Sequence, residues 1–586
     1  MTKRILILTI MAAFILTGIA IAEVSDKAPA KTLRALTGEE VLPQSNPHPY
    51  VPGTITTSPG TVLGTTYYDY QTNGSTGNRI VKYSDNSIYV AWMNALAWST
   101  PRHVYYNWYD PNGTIWTFES GARVNTDAGA GYTTIDKMSD GRGVIAYHND
   151  GIVYVSIEDM PGLGAFSTST PPNELFPQTD DNPGICYWPY VTVDNQNYIH
   201  IIATESSATG VKQRMGYTCS INGGSTWSTF TLVDTVMVIG GVVVSSPVSN
   251  RVVIAYPKTT DTTYQAHNDI VYISSSDGTT WDFRYGKVNL TNYDDSPDSF
   301  YAYTDIDVII DYNDDVNIIW TKNKISETGG MYYRTNLDFY NEDTDQITTI
   351  KTYPDSLFMD ICGGWCMPMC KMSLGSDVQG NIFATWTQFD TADVSYNGYG
   401  NGELWMTHTA DKGATWAEPI NITNTPTPGC YADECDSEHW SSLDELVDDS
   451  LRITFISDKD AGGMPQTEGS ATENPVMYYA YANPYEIPIG IEDGTGVLPT
   501  SFSLNQNYPN PFNAQTEILF SLKQAGHVAL DIYDITGAKV TTLVDDNMAA
   551  GNHSIIWDAS DMASGVYFYK VNANGETQSK QAVLIK

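Results

Sequence analysis

The sequence predicts an all-β chain: a β-propeller followed by a small immunoglobulin-like β-sandwich. Three observations carry this. Between residues 61 and 488 an apolar strand runs into a tight polar turn and emerges as a second apolar strand seven times, at spacings of fifty to seventy-five residues. Helical periodicity is almost absent. Beyond residue 499 the residues alternate with a period of two, Val528, Leu530 and Ile532 against Ala529, Asp531 and Tyr533, as strands with two different faces require.

At the N-terminus, Lys3-Arg4 precede an apolar run from Ile5 to Ala20 that ends at Ala20-Ile21-Ala22, a small-x-small cleavage site, so residues 1–22 read as a secretory signal peptide. The run is too short for a membrane anchor, and no later segment approaches spanning length. Residues 23–60 hold six prolines between Pro29 and Pro59 and read as an extended lead-in without a fold of its own.

The seven hairpins turn at Ser84-Asp-Asn-Ser87, Ser139-Asp-Gly-Arg-Gly143, Asp194-Asn-Gln-Asn197, Pro247-Val-Ser-Asn250, Asp311-Tyr-Asn-Asp-Asp315, Ser376-Asp-Val-Gln-Gly380 and Asp448-Asp-Ser450. A third strand follows in most units, as in Ile270-Val-Tyr-Ile-Ser274. A repeat of this length made of four antiparallel strands suits a propeller blade, because radial stacking buries both faces of every sheet. Seven blades are expected over residues 61–488, with six and an extra hairpin as the alternative. The strand-like Thr61–Tyr70 is placed to complete the last blade and close the ring. A linker at 489–498 leads to the sandwich at 499–586.

Composition bounds the partners. The formal charge of −38 becomes about −40 once Lys3 and Arg4 leave with the signal. Such a surface repels a phosphate backbone, so nucleic acid is excluded. No cofactor is firmly implied. Calcium is the one ion that acid-rich loops suit, and the plainer reading is that the acids keep an exported chain soluble. The Asp311–Asn317 turn lacks the glycine and the terminal glutamate of a calcium loop.

The last domain carries ordered motifs: Asn507-Tyr-Pro-Asn-Pro-Phe-Asn513, Thr516–Leu522, Val528–Gly537, Ala550–Asp558 and Ser564–Lys570. It resembles the type A C-terminal sorting domain of type IX secretion, departing from the usual pattern at Ala514. That resemblance implies export through the periplasm to the cell surface or medium and engagement with the secretion machinery. Asn510, Pro511, Phe512, Asn513 and Lys586 are then sorting-motif residues.

Ser220-Ile-Asn-Gly-Gly-Ser-Thr-Trp227 and Thr409-Ala-Asp-Lys-Gly-Ala-Thr-Trp416 are similar to the Asp-box (BNR repeat) of sialidases and other propellers, with shorter or degraded versions at Ser275–Trp281 and Asp110–Trp116. In such a turn the Asp or Asn side chain bonds backbone amides, glycine takes a positive φ and Trp packs between sheets. Asn222, Gly224, Trp227, Asp277, Gly278, Trp281, Asp411, Gly413 and Trp416 are therefore structural. The sialidase resemblance would also imply three convergent arginines. Of the nine in the propeller region, only Arg79 begins an innermost strand. The sialidase arginine triad is not apparent, and catalytic residues stay unassigned.

The ligand-binding candidates are the residues that enter the innermost strands: Arg79, Tyr132, Trp188, Tyr190, Tyr301, Tyr303, His439 and Trp440. Flat rings on an acidic concave face suit sugars, and the bland alternative is that the rings wedge between blades. Cys362, Cys366, Cys370, Cys430 and Cys435 sit in the insertions flanking the sixth unit. In an exported chain they are disulfide candidates, two bridges among them stapling the long loops with connectivity open, and a zinc site with His439 is the runner-up. The expected function is an exported binding protein for a glycan or protein ligand. The alternatives are an extracellular glycoside hydrolase, or a structural surface-layer component, favoured if insertions plug the channel.

Overall fold

The computed structural model describes residues 58–486 and 502–585, short internal stretches aside. The signal peptide, most of the lead-in and the linker lie outside the described residues, as do Pro511 and Lys586 of the sorting motif. The chain divides at residue 487 into two compact units. The elements of both are β-strands with short connections.

Among the described residues, unit one contains seven sheets that follow one another along the chain, antiparallel throughout except where Leu175–Phe176 joins Phe230–Val236 in parallel at the outer edge of the third. Their innermost strands are Ile80–Lys82, Gly131–Lys137, Cys186–Val193, Val242–Ser245, Phe300–Ile310, Met369–Ser376 and Ser437–Leu443. Each packs on the next, and the seventh sheet returns to the first, a propeller-like arrangement. Strand Thr61–Thr66 pairs with Asn474–Ala482 as the outer strand of the seventh sheet, so the two ends of the unit are sewn together.

The clasps between sheets are polar and recur. Val193 N–H donates to Asp136 Oδ2 at 2.6 Å, Leu374 N–H to Asp307 Oδ2 at 2.7 Å and Lys82 N–H to Asp444 Oδ1 at 3.2 Å. In each case a carboxylate near the end of one inner strand holds the backbone of the next sheet. Thr134, Ser373 and Ser442 do the same with hydroxyls. An inner strand has a free backbone edge, and these side chains satisfy it without adding a strand.

The polar turns at residues 220–227, 275–281 and 409–416 behave as their composition requires. Asn222 Oδ1 accepts from Thr226 N–H at 2.9 Å, Asp277 Oδ1 from Thr280 N–H at 2.7 Å and Asp411 Oδ1 from Thr415 N–H at 2.8 Å. Gly224 and Gly413 have φ of 77° and 86°. Trp281 stacks on Phe283, and Trp416 meets Phe339 edge-on.

Unit two has two antiparallel sheets around one core. Three strands, Ser503–Leu504, Gln515–Leu522 and Gly551–Asp558, form the first, and four form the second: Gly526–Asp534, Lys539–Met548, Gly565–Ala573 and Glu576–Leu584. Asn510 ties the motif to the last strand: its Nδ2 donates to Gln581 O at 3.1 Å and its Oδ1 accepts from Val583 N–H at 2.8 Å. Phe512 is buried against Trp557.

Candidate functional site

The end of the channel where the inner strands begin is stoppered. On leaving the outer strand of sheet seven, residues 67–72 and 74–79 cross the mouth before the chain enters sheet one. Ser75 Oγ donates to Gly240 O at 2.7 Å and accepts from Ile306 N–H at 3.1 Å. Ser75 O accepts from Tyr190 OH at 2.7 Å, and Gly74 O from Lys371 Nζ at 3.3 Å. Gly74 is required by the close approach, since an added Cβ would lie 1.6 Å from Ile239 O.

This cap decides where the sequence-predicted ligand residues sit. Arg79, Tyr132, Trp188, Tyr190, Tyr301, Tyr303, His439 and Trp440 are all buried. Arg79 donates to Gln71 O at 2.6 Å inside the cap, and burial lowers its pKa to about 10. Tyr132 stacks on His148 and Tyr301 on His267. Trp440 lies edge-on to Tyr70, with Lys371 Nζ 4.8 Å from its ring centroid. His439 bonds Ser437 Oγ at 2.7 Å. The rings stand together under the cap and between sheets, and a space of only about 10 Å³ remains among Arg79, Tyr132, Trp188 and Tyr190. The inner strands bulge there, with Tyr132, Lys371 and Trp440 at φ of 52°, 52° and 58°. Such backbone costs about 1 kcal/mol or more per residue and turns groups toward the cap.

The arginines disperse. Arg214 pairs with Glu205, Arg251 with Glu342, Arg142 with Asp140 and Arg452 with Asp448. Arg102 lies over Tyr68 and Tyr132.

The cysteines differ from the expected staple. Cys430 and Cys435 are bonded, with Cα atoms 5.1 Å apart, so the bridge stays within one insertion. Cys362, Cys366 and Cys370 are buried and lie outside that bridge. Cys366 Sγ lies 4.0 Å from His439 Nδ1. A bond from Cys370 holds Cys366 below the usual thiol range, while burial pushes Cys370 up. Among the described residues no three His, Cys, Asp or Glu groups converge to hold a metal ion.

The short bridge organises a feature that sequence reasoning missed. Tyr396 and Tyr431 are 67% and 55% exposed, yet their rings stand 4.5 Å apart at 32°. Tyr396 is in the loop joining Ile382–Val394 to Gly400–Thr409, and Tyr431 follows Cys430. Tyr396 N–H donates to Cys430 O at 2.8 Å, and Gly429 N–H to Val394 O at 2.7 Å, so the two loops are tied by backbone. Register places both at the strand-start end of sheet six, because Met369 pairs with Gln388 and Val394 with Gly400. Exposed Asp433 and Glu434 flank them.

The opposite end holds a second feature. Where the inner strands end, a cavity of about 140 Å³ is bordered by Asp136, Lys137, Asp444, Glu445 and Tyr312, with Val81, Val193, Ile310 and Leu446 as apolar wall. Burial, with the nearby negative charge of Asp136, pushes Glu445 up to about 8. Asp444 is raised by burial, and its Oδ2 has no hydrogen-bond partner.

Residues 506–586 match the secretion system C-terminal sorting domain, which identifies that segment as a sorting tail and places the chain at the cell surface or outside the cell. No curated protein matches the chain. Solved structures with similar folds include PorZ, a surface component of the type IX secretion system of Porphyromonas gingivalis, at 12% identity and TM-score 0.39, covering 88% of this chain and 60% of that one. An ulvan lyase matches at 8% and 0.43, covering 72% of this chain and 96% of that one. An α-L-arabinanase of Penicillium chrysogenum matches at 11% and 0.37, covering 61% and 94%. This chain therefore spans about three fifths of PorZ's length.

Proposed function

We propose that this protein is an exported seven-bladed β-propeller, carried by an immunoglobulin-like type IX sorting domain, that binds a glycan at the rim of its strand-start face through Tyr396 and Tyr431. The turns at 220–227, 275–281 and 409–416 are its Asp-boxes. One observation carries the binding assignment: two tyrosines that remain more than half exposed while standing in ring contact, on loops tied to each other by backbone hydrogen bonds, one of the loops being closed by a disulfide. Exposing two aromatic rings costs hydrophobic burial that nothing in the local fold recovers, whereas a sugar's apolar face recovers it on binding. Preorganised loops lower the ordering cost. Asp433 and Glu434 are placed to accept hydroxyl protons, which suits neutral or amine-bearing sugars over acidic ones.

A hydrolase would need a carboxylate pair flanking an open cleft. At the mouth, Asp305 is buried on Lys371, and Glu438 is buried under Ser58 and Thr425, which favours binding over cleavage. The second reading is a structural surface component, supported by the cap over the channel. The test is a glycan array with the full chain and the Y396A/Y431A pair, followed by mass analysis of the spotted sugars. Retention of intact sugars that falls at least tenfold in the double variant supports the assignment. Retention unchanged by the variant, or cleaved sugars, would overturn it.

A further inference from the structure

The strand-end cavity is separate from the tyrosine rim and has a chemistry of its own. Its polar wall is acidic. Asp444 is 2% exposed and uses one carboxylate oxygen to clasp Lys82 N–H, leaving Oδ2 without a hydrogen-bond partner. Glu445, the next residue, is only partly buried, and Asn78 Nδ2 donates to its Oε1. Asp136 borders the same space. Lys137, the one cation in the wall, donates its Nζ to Lys82 O and stands 5.5 Å from the Tyr83 ring centroid; its charge acts on Asp444 and Glu445 from there, as those of Lys82 and Arg452 do on Asp444, but none of the three donates a hydrogen bond to Asp444 Oδ2. A carboxylate oxygen that is buried and unpaired is costly to leave so.

We propose that this cavity is a binding site for a primary alkylammonium group. The ammonium supplies three directed N–H donors and a compact charge, which match acceptors on Asp444 and Glu445. Val81, Val193, Ile310 and Leu446 line the cavity beside them and suit the methylene stem that carries such a head. A volume of about 140 Å³ admits a butylammonium-sized chain. A bound divalent metal is disfavoured, because it demands several oxygens converging on one point, and no such convergence exists among the described residues. Two sources share this chemistry: a free polyamine, and a lysine side chain of a partner protein.

The experiment is calorimetric titration of the full chain with spermidine, with Nα-acetyl-lysine methylamide and with its Nε-acetylated form. Saturable binding of either amine, lost on Nε-acetylation and weakened at least tenfold by E445Q, supports the site. Spermidine alone binding assigns a polyamine, and the lysine amide binding as well assigns a protein side chain. D444N should abolish binding, and because Asp444 also clasps Lys82, a thermal melt accompanies it. E445Q tests the site even if D444N fails to fold. Binding indifferent to acetylation or to E445Q, displacement by equimolar calcium, or no binding would overturn the proposal.

Discussion

Replacing Glu445 by glutamine should remove the pH dependence of stability that this one carboxyl imposes. In the folded chain its pKa is raised from 4.5 to about 8, first by burial, then by Asp136 and Asp307, with Lys137 opposing. Between these two values the folded chain holds a proton that the unfolded chain has released, so stability is greatest below about pH 4.5 and falls as pH rises toward 8. Some 3.5 pH units at ~1.36 kcal/mol each give a ceiling of about 5 kcal/mol. The carboxyl borders a cavity that water can enter, which lowers the expected loss to about 2–4 kcal/mol. Asp307, raised to about 7 by burial, adds a loss of the same sign. Glutamine keeps the shape and the bond from Asn78 without ionising. E445Q should therefore be about 2–4 kcal/mol more stable than the parent at pH 9 and equal to it at pH 4.5, by urea denaturation. Equal stability at both pH values, or destabilisation at pH 9, would refute the argument that Glu445 is buried against its own charge.

Three further outcomes are expected. G74A places a methyl 1.6 Å from Ile239 O, against backbone that cannot step aside, so the cap must lift. A loss of about 2–3 kcal/mol by urea denaturation is expected, with new proteolytic cleavage between residues 67 and 79. Opening the Cys430–Cys435 bridge in C430S/C435S should cost about 2 kcal/mol, as short loops do, and should weaken glycan retention with little change in the sugars recognised. In the tail, N510A removes both bonds to the terminal strand. It should lower the tail's stability by about 1–2 kcal/mol and shift protein from the surface to the periplasm on cell fractionation.

The strands were legible because their signal is local. Every one of the seven hairpin turns joins the two innermost strands of one sheet, and Thr61–Thr66 pairs where its sequence suggested. The tail was legible because its motifs are ordered: Asn510 and Phe512 meet residues 581–585, some seventy positions away. What the sequence could not show is long-range. Gln71-Thr-Asn-Gly-Ser-Thr-Gly77 reads as a polar linker. Its small residues are what allow a backbone to lie against Ile239 and Gly240, and that contact takes the mouth aromatics out of solvent. Glu445 likewise gives no local sign, because its raised pKa follows first from burial and then from Asp136 and Asp307 on other sheets.

Position in the blade decides which aromatics stay exposed. Burial is the default for Tyr and Trp at the start of an inner strand, where two neighbouring sheets and anything crossing the mouth compete to cover them. An aromatic in a hairpin tip or beside a cysteine in an insertion has no such cover, and Ser395-Tyr-Asn-Gly398 and Cys430-Tyr431 are of that kind. The cysteines matter through the second pair. A bridge of five-residue separation adds little to a fold of this size, but it closes the loop carrying Tyr431, and backbone hydrogen bonds from that loop reach the turn carrying Tyr396. Exposed rings brought together on two loops tied by backbone hydrogen bonds are better explained by what they meet outside the chain than by what they pack against within it.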